Sequence, residues 1–489
     1  MPHPTRRSFL KNTLAAAASI TIAGTKSSGR VLGANDTIHI AVAGINGRGG
    51  AHVGEWTRMD GVEITYLIDP DTRTYARRLK QAGTKGGKAP QVIKDVRVAL
   101  EDKNLDAISI ATPNHWHALI TIWACQAGKD VYVEKPCSHN IHEGRIAVEA
   151  AKKYGRIVQH GTQSRSSPEI PRVLEAIKSG KFGKLLVSRG LCYKDGLGDP
   201  RSTRASIGYQ PPKPPPQELD FNLWLGPAKE QPYHDNLVHY RWHWFWDFGN
   251  GDIGNQGVHE IDKARWAIPG ATLPRSVLSL GGRLGHKQPD QGQTASSQIA
   301  IFDYGETQLI FEVRGLPSKA YQGQKVGNIF HLEAGTIAGG RFYPKGSDKG
   351  EPLFAGDGNG RRGGRGGNHF ANFIAAVRSR KMEDLAAPIL EGHYSAALIH
   401  LANASYRLGE QVPFNPATKA FGDNKEAYET LARMEEYLKE NKVHLSESKY
   451  QLGRKLTIDA GAESVVGDNE ANKLLTRNYR KPFAVPDKI

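Results

Sequence analysis

The stretch Ile40-Ala41-Val42-Ala43-Gly44-Ile45-Asn46-Gly47-Arg48-Gly49 joins an apolar run to a glycine-spaced turn, and it limits the fold more sharply than any other segment. The apolar run reads as a buried strand, and Gly44 gives the backbone freedom for a tight turn out of it. Gly49 stands where a following helix must pack closely on that turn, so the first and last glycines of a G-x-G-x-x-G pattern are present. Asn46 takes the middle place. Asparagine tolerates left-handed backbone angles better than most residues, and Gly47 beside it adds room. A strand, such a turn and a helix open a parallel βαβ unit.

The pattern continues downstream. Short apolar runs at 38–43, 62–68, 107–111, 131–134 and 157–160 alternate with helical stretches, among them 116–127 and 141–154. Strands separated by crossover helices predict a doubly wound parallel sheet of the α/β, Rossmann type. The first helix would aim backbone N–H groups at a pyrophosphate. Asp69, at the end of the second strand and 25 positions after Gly44, would accept hydrogen bonds from an adenosine ribose and so favours NAD. Arg73 nearby leaves NADP open, and a plain turn-capping role ahead of Pro70 is the alternative for Asp69.

At 489 residues the chain exceeds one ordinary core. Beyond the first unit, 169–179 reads as a helix and 184–193 as a strand, followed by a proline-, glycine- and polar-rich excursion over 196–232, either functional or surface padding. Strand patterns return at 275–282, 297–303, 307–314 and 329–334, with Tyr304-Gly305-Glu306 as a hairpin connection. They predict a C-terminal α+β domain with a large, mostly antiparallel sheet. The run 356–367 reads as a mobile loop, 369–380, 393–408 and 425–441 as helices, and the last forty or so residues as an irregular arm. The expected division is a leader (1–34), a nucleotide-binding domain (35–162), a substrate and oligomerisation domain (163–415) and an extension (416–489).

Thr5-Arg6-Arg7-Ser8-Phe9-Leu10-Lys11 has the pattern of a twin-arginine export signal, and the apolar run 14–23 after it is too short for the ~20 residues of a membrane span. The expected location is the periplasm, or export by the same route, with cleavage after either Ala23 or Ala34. That route carries folded proteins, so the cofactor would travel inside and stay tightly bound. The formal charge of +15 comes from 65 basic residues spread through the chain. Without stacking motifs they describe a basic surface rather than a nucleic-acid site. Cys125, Cys137 and Cys192 form neither a disulfide framework nor a metal spacing, and no metal is expected.

Two further segments follow strands: Ala111-Thr112-Pro113-Asn114-His115-Trp116-His117 and Glu134-Lys135-Pro136. With them, 38–408 resembles the Gfo/Idh/MocA oxidoreductases, the family of glucose-fructose oxidoreductase and inositol dehydrogenase. The resemblance implies that Lys135 lies beside substrate and nicotinamide and stabilises the reacting oxygen. The family's second motif, an aspartate with a histidine four residues later, falls on Gly254-Asn255-Gln256-Gly257-Val258-His259. His259 is then the catalytic histidine. Asn255 departs from the aspartate, and an amide there orients the imidazole without charging it. Asp252 or Glu260 would be the compensating carboxylates.

The expected cofactor contacts are Gly44, Asn46, Gly47, Arg48, Gly49, Asp69, Arg73, Thr112, Asn114, His117, Glu134 and Lys135. Those expected for substrate are His160, Gln163, Arg241, Trp242, Asn255 and His259. The aromatic run 240–246 suits stacking on sugar rings, or serves as core. These residues imply an exported NAD(P)-dependent oxidoreductase that acts on a sugar, polyol or glycoside by hydride transfer. An NAD-dependent glycoside hydrolase that oxidises its substrate transiently, and a noncatalytic sugar-binding or assembly protein, are the alternatives. An open antiparallel sheet would pair with a second subunit, giving a dimer or tetramer.

Overall fold

Six parallel strands form the first sheet: β1 (Ile38–Ala43), β2 (Val62–Ile68), β3 (Gln91–Ile93), β4 (Ala107–Ile110), β5 (Asp130–Val133) and β6 (Val158–His160), in the order β3-β2-β1-β4-β5-β6. The computed structural model describes residues 36–194, 206–286, 288–354, 368–415 and 418–489, so the leader and the 356–367 run lie outside the described residues. Strands β4 and β5 are buried at every position, as a sheet covered on both faces requires. The strand order reverses between β1 and β4, where such sheets open a crevice at their carboxyl ends. Strand β3 carried no sequence signal because its three residues are exposed or half-buried and lack alternation.

The second sheet has twelve strands: β7 (Leu185–Tyr193), β8 (Ser276–Gly282), β9 (Ser297–Asp303), β10 (Gln308–Arg314), β11 (Val326–Leu332), β12 (Gly335–Ala338), β13 (Arg341–Pro344), β14 (Glu351–Pro352), β15 (Glu410–Pro413), β16 (Lys449–Leu452), β17 (Leu456–Asp459) and β18 (Ser464–Val465). Strands β7 and β10 pair in parallel and the other pairings are antiparallel. The β9–β10 hairpin closes in the expected place, Asp303 opposite Gln308. On one face of this sheet, Val258 and Ile261 of the helix Gly257–Ala267, and Leu398 and Leu401 of the helix Ile389–Arg407, pack on Leu309 and Phe311. Gly190 and Gly257 are required there, because a Cβ at either would lie within 2.8 Å of the Phe311 ring.

The opposite face is not open where the sequence reading needed it to be. Leu431, Met434, Tyr437 and Leu438 of the helix Lys425–Glu440 cover Leu280, Ile299, Ile301 and Ile310. An oligomer built on that bare surface therefore loses its premise over β8–β10. Two segments from late in the chain also complete the first domain. Phe370, Phe373 and Val377 of the helix His369–Ser379 pack with Trp56 and Tyr132. The terminal stretch, after β16–β18 and the helix Asn469–Leu474, returns over the first sheet and buries Phe483 and Val485. It is thus an ordered strap rather than an irregular arm. Asn424 and Asp468 cap their helices, each side chain accepting from a backbone N–H of the first turn. No helix among the described residues is long and apolar enough to cross a membrane.

Phe483 is 2% exposed and meets the Trp116 ring edge-on at 5.4 Å. Truncating such a side chain costs about 3–5 kcal/mol where the site cannot collapse. Phe483→Ala is expected to release the strap, seen as faster limited proteolysis after residue 475 and a lower melting temperature.

Candidate active site

The glycine turn is built by close contact. Gly44 has φ +78°, and a Cβ on it would stand 2.5 Å from the Thr112 nitrogen; a Cβ on Gly49 would stand 1.9 Å from the Gly44 carbonyl oxygen. Gly47 has no atom within 4 Å of that position and faces the cleft. The helix Gly49–Arg58 begins with no side-chain cap and no acidic residue in its first turn, so its positive end is left for an anion. Arg77 and Arg78 donate to the Asn46 carbonyl and hold the turn from outside.

Asp69 lies buried at the end of β2, facing the cleft, and accepts from the backbone N–H of Ile45 at 3.0 Å and of Asp71 at 3.0 Å. Burial pushes its carboxyl up to about 6 against the pull of those donors. It braces the turn and fronts the cleft at once. Arg73 is not brought to the cleft. Its guanidinium forks onto Asp71, Nε at 2.8 Å and Nη2 at 2.6 Å, which corrects its assignment as a cofactor contact. Thr112 Oγ1 and Asn114 Oδ1 line the cleft, buried and without a hydrogen-bond partner. Orphaned polar atoms, the open Gly47 position and the uncapped helix end are what a dinucleotide would satisfy. His117 differs: its ring nitrogens stand 2.8 Å from the Thr112 carbonyl and 2.6 Å from that of Pro136, tying two turns together.

At the far end, Glu134 accepts from Arg48 Nε at 2.7 Å and Gln163 Nε2 at 3.2 Å, with His52 Nε2 at 3.1 Å. Burial alone would raise its carboxyl, but Arg48, His52 and Lys135 outweigh that and hold it well below the usual range. Gln163 is therefore spent on Glu134 and on the Tyr132 hydroxyl rather than free for substrate. Next to it, Lys135 Nζ donates across the domain boundary to the Asn255 carbonyl. Burial pushes the Lys135 ammonium down to about 8, with Arg48 and Lys194 adding to the fall and Glu134 opposing it.

His259 is half-buried, and burial followed by the nearby Lys135 charge holds its imidazole well below 6.5. Asn255 does not orient it: the Asn255 amide nitrogen reaches the Tyr240 hydroxyl at 3.4 Å and its oxygens face Lys135. Glu260 takes Gln256 and Lys263. His160 is fully buried outside the cleft lining, with Nδ1 3.3 Å from Thr162 Oγ1 and Nε2 without a partner. Arg241 donates to Asn236 at 2.7 Å and also stays off the cleft. Trp242 does line it, stacked on His243 with centroids 3.6 Å apart.

Sequence reasoning missed the wall formed by the second domain. The excursion read as irregular bonds the end of β2 through Asp220 N–H to Pro70 at 2.9 Å and Thr72 N–H to Glu218 at 3.1 Å, while His239 Nε2 reaches Asp71 at 2.8 Å. It brings Trp224, His239 and Tyr240 into the cleft lining. Tyr240 sits at φ +71°, a left-handed angle that costs a tyrosine of order 1–3 kcal/mol and aims its ring inward. The aromatic run was the visible signal; its inner members Trp244, Phe245 and Phe248 are core. The resulting cleft has a cavity volume of about 300 Å³ and opens to solvent. The three cysteines are buried and form no disulfide with one another.

A parallel sheet with this turn and this cleft defines a protein of the NAD-binding Rossmann class. Residues 38–162 match the family model described as "Oxidoreductase family, NAD-binding Rossmann fold", and residues 205–277 match the one described as "Oxidoreductase family, C-terminal alpha/beta domain". A levoglucosan dehydrogenase from Pseudarthrobacter phenanthrenivorans is 32% identical over 185 residues, 38% of this chain and 38% of that protein. A glycosyl hydrolase family 109 protein from Shewanella pealeana is 28% identical over 171 residues, 34% of this chain and 37% of that protein. The chain thus spans well under half the length of these curated relatives. In fold it is similar to the WlbA dehydrogenase from Bordetella pertussis, solved with NADH and UDP-GlcNAcA: TM-score 0.52 at 18% identity, covering 75% of this chain and 96% of that one.

Gly44→Ala adds a methyl group to a left-handed residue against backbone that cannot yield. NAD affinity measured by fluorescence titration is expected to fall tenfold or more, the equivalent of about 1.4 kcal/mol.

Proposed function

We propose that the protein oxidises a carbinol of a sugar, polyol or glycoside with bound NAD. The observation that carries this reading is Lys135 in the cleft lining, donating across the domain boundary to Asn255, its ammonium pushed down to about 8 and its charge helping burial hold the imidazole of His259, just behind the lining, neutral. The turn from Gly44 to Gly49, with Asp69, Thr112 and Asn114, would hold the dinucleotide, which when bound supplies a hydride-accepting carbon. The chain's own groups handle oxygen and proton. Lys135 Nζ donates to the substrate hydroxyl oxygen and stabilises its developing negative charge, as a preorganised donor in a desolvated pocket does. The neutral His259 ring accepts the hydroxyl proton, which a protonated imidazole could not. Glu134, pinned by Arg48, His52 and Gln163, keeps negative charge beside Lys135 and so keeps that amine cationic at neutral pH. Trp242, Tyr240 and Trp224 offer aromatic faces for a sugar ring.

The likeness to a glycosyl hydrolase family 109 protein favours a second reading, in which oxidation is transient, the aglycone is eliminated, and the ring is reduced again. Product at the oxidation level of the substrate, with no net NADH formed, would select it. Both readings fit a cofactor retained between turnovers, and the excursion that wraps the end of β2 supports such retention. With Thr5 to Lys11 in view, we further propose export by the twin-arginine route.

Lys135→Ala is expected to lower kcat by at least a hundredfold while NAD stays bound, measured by nicotinamide absorbance over a screen of sugars and glycosides. Unchanged biological activity in this variant and in His259→Ala would instead favour the noncatalytic binding protein. The Lys135 donor is present below its pKa and lost above it, so kcat/KM is expected to fall as pH rises through about 8. Lys135→Arg should carry that alkaline limb upward, if it retains turnover. Replacing Arg6 and Arg7 by lysine should leave the protein in the cytoplasmic fraction on cell fractionation, and periplasmic recovery of that variant would end the export proposal.

A further inference from the structure

A second cavity, of about 240 Å³, shares no lining residue with the cleft. It forms where the 246–250 turn, the helix Ile389–Arg407 and the 473–477 stretch of the strap meet. Its polar lining is biased toward donors. Arg477 Nη1 donates to His139 Nδ1 at 3.3 Å, which fixes the ring proton of a neutral His139 on Nε2. That nitrogen is buried and has no partner. Asn250, 5% exposed, also lines the cavity, and its Nδ2 is buried and partnerless.

Positive charge is in excess around these donors. The Arg407 guanidinium lies 5.1 Å from the Trp246 ring centroid, and Lys473 stands exposed at the rim. Asp247 is the one carboxylate in the lining among the described residues, and it already faces Lys229 at 3.4 Å, Arg477 at 3.9 Å and Gln231 at 3.2 Å, which leaves Arg407 and Lys473 in excess. Buried donors without acceptors carry a desolvation cost, which an acceptor-rich guest would relieve. Water would relieve the donors but leave the charge uncompensated.

We propose that this cavity binds a small oxyanion, a phosphate or carboxylate group on a free small molecule. Asn250 and His139 donate from its floor, and Arg407, Lys473 and Arg477 supply the countercharge. The site is linked to the cleft by chain continuity. Asn250 immediately precedes the short helix Gly251–Asn255, whose last residue offers the carbonyl that receives Lys135. An anion held at one end of that helix therefore bears on the setting of the lysine at the other.

Isothermal titration calorimetry on the whole chain saturated with NAD, so that the glycine turn is occupied, tests this with inorganic phosphate, with malonate and with uncharged glycerol. Saturable binding of phosphate, malonate or both is expected, with none for glycerol, and which anion binds identifies the group the site takes. Asn250→Ala is expected to weaken that binding at least tenfold. The double variant Arg407→Gln, Lys473→Gln, confined to exposed positions that leave the fold intact, should do the same. Absence of saturable anion binding, or binding that neither variant weakens, overturns the proposal.

Discussion

A buried carboxylate that must stay charged organises this molecule. Glu134 ends β5 with its side chain out of water, and an ionised carboxyl there is tolerated only with partners in hydrogen-bonding position. Those partners come from separate elements: Arg48 and His52 from the glycine turn and the first helix, and Gln163 from just beyond β6. Satisfying one charge therefore fixes the turn, the central strands and the domain boundary relative to one another. Lys135, the next residue, inherits that placement, and its reach to Asn255 fastens the second domain to the same point.

Much of this was legible because it is local. Gly44 and Gly49 announce themselves by spacing, Asp69 by following a strand, and Lys135 by the motif around it. Each lies within a few residues of the strand that positions it. What was not legible depends on which partner claims a side chain, whether near or far in sequence. Arg73 looks like a phosphate contact until Asp71, two residues before it, is seen to claim both arms of its guanidinium. Gln163 looks free until Glu134 and Tyr132 take its amide. The wall formed by the 206–248 segment lacks periodicity, and its hydrogen bonds to the end of β2 come from irregular backbone that no propensity describes. The helix Lys425–Glu440 was visible as a charged amphipathic helix, yet nothing in its pattern said that its apolar stripe would close the second sheet.

The departure at Asn255 acquires a physical sense in this setting. A carboxylate at that position would add a second negative charge near Lys135 and raise its pKa, undoing part of what burial achieves. The amide leaves Glu134 as the adjacent counter-charge, so the lysine is held near 8 rather than returned to 10.5. Burial and the Lys135 charge hold the His259 imidazole down in turn. The two nitrogens are thus separated in proton affinity by their surroundings, the arrangement by which paired groups divide donor and acceptor roles.

The first domain is continuous from β1 to β6, but its core is not. Phe370, Phe373 and Val377, and later Phe483 and Val485, supply side chains that its own helices do not. A ribosome releases these residues only after the whole second domain has been made. The nucleotide-binding half must then wait, loosely packed, while the rest of the polypeptide emerges, and its final consolidation is post-translational. The late-arriving aromatic side chains set the core behind the cleft and do not line the cleft itself, so the half that would take a dinucleotide is firmed up from the rear, last of all.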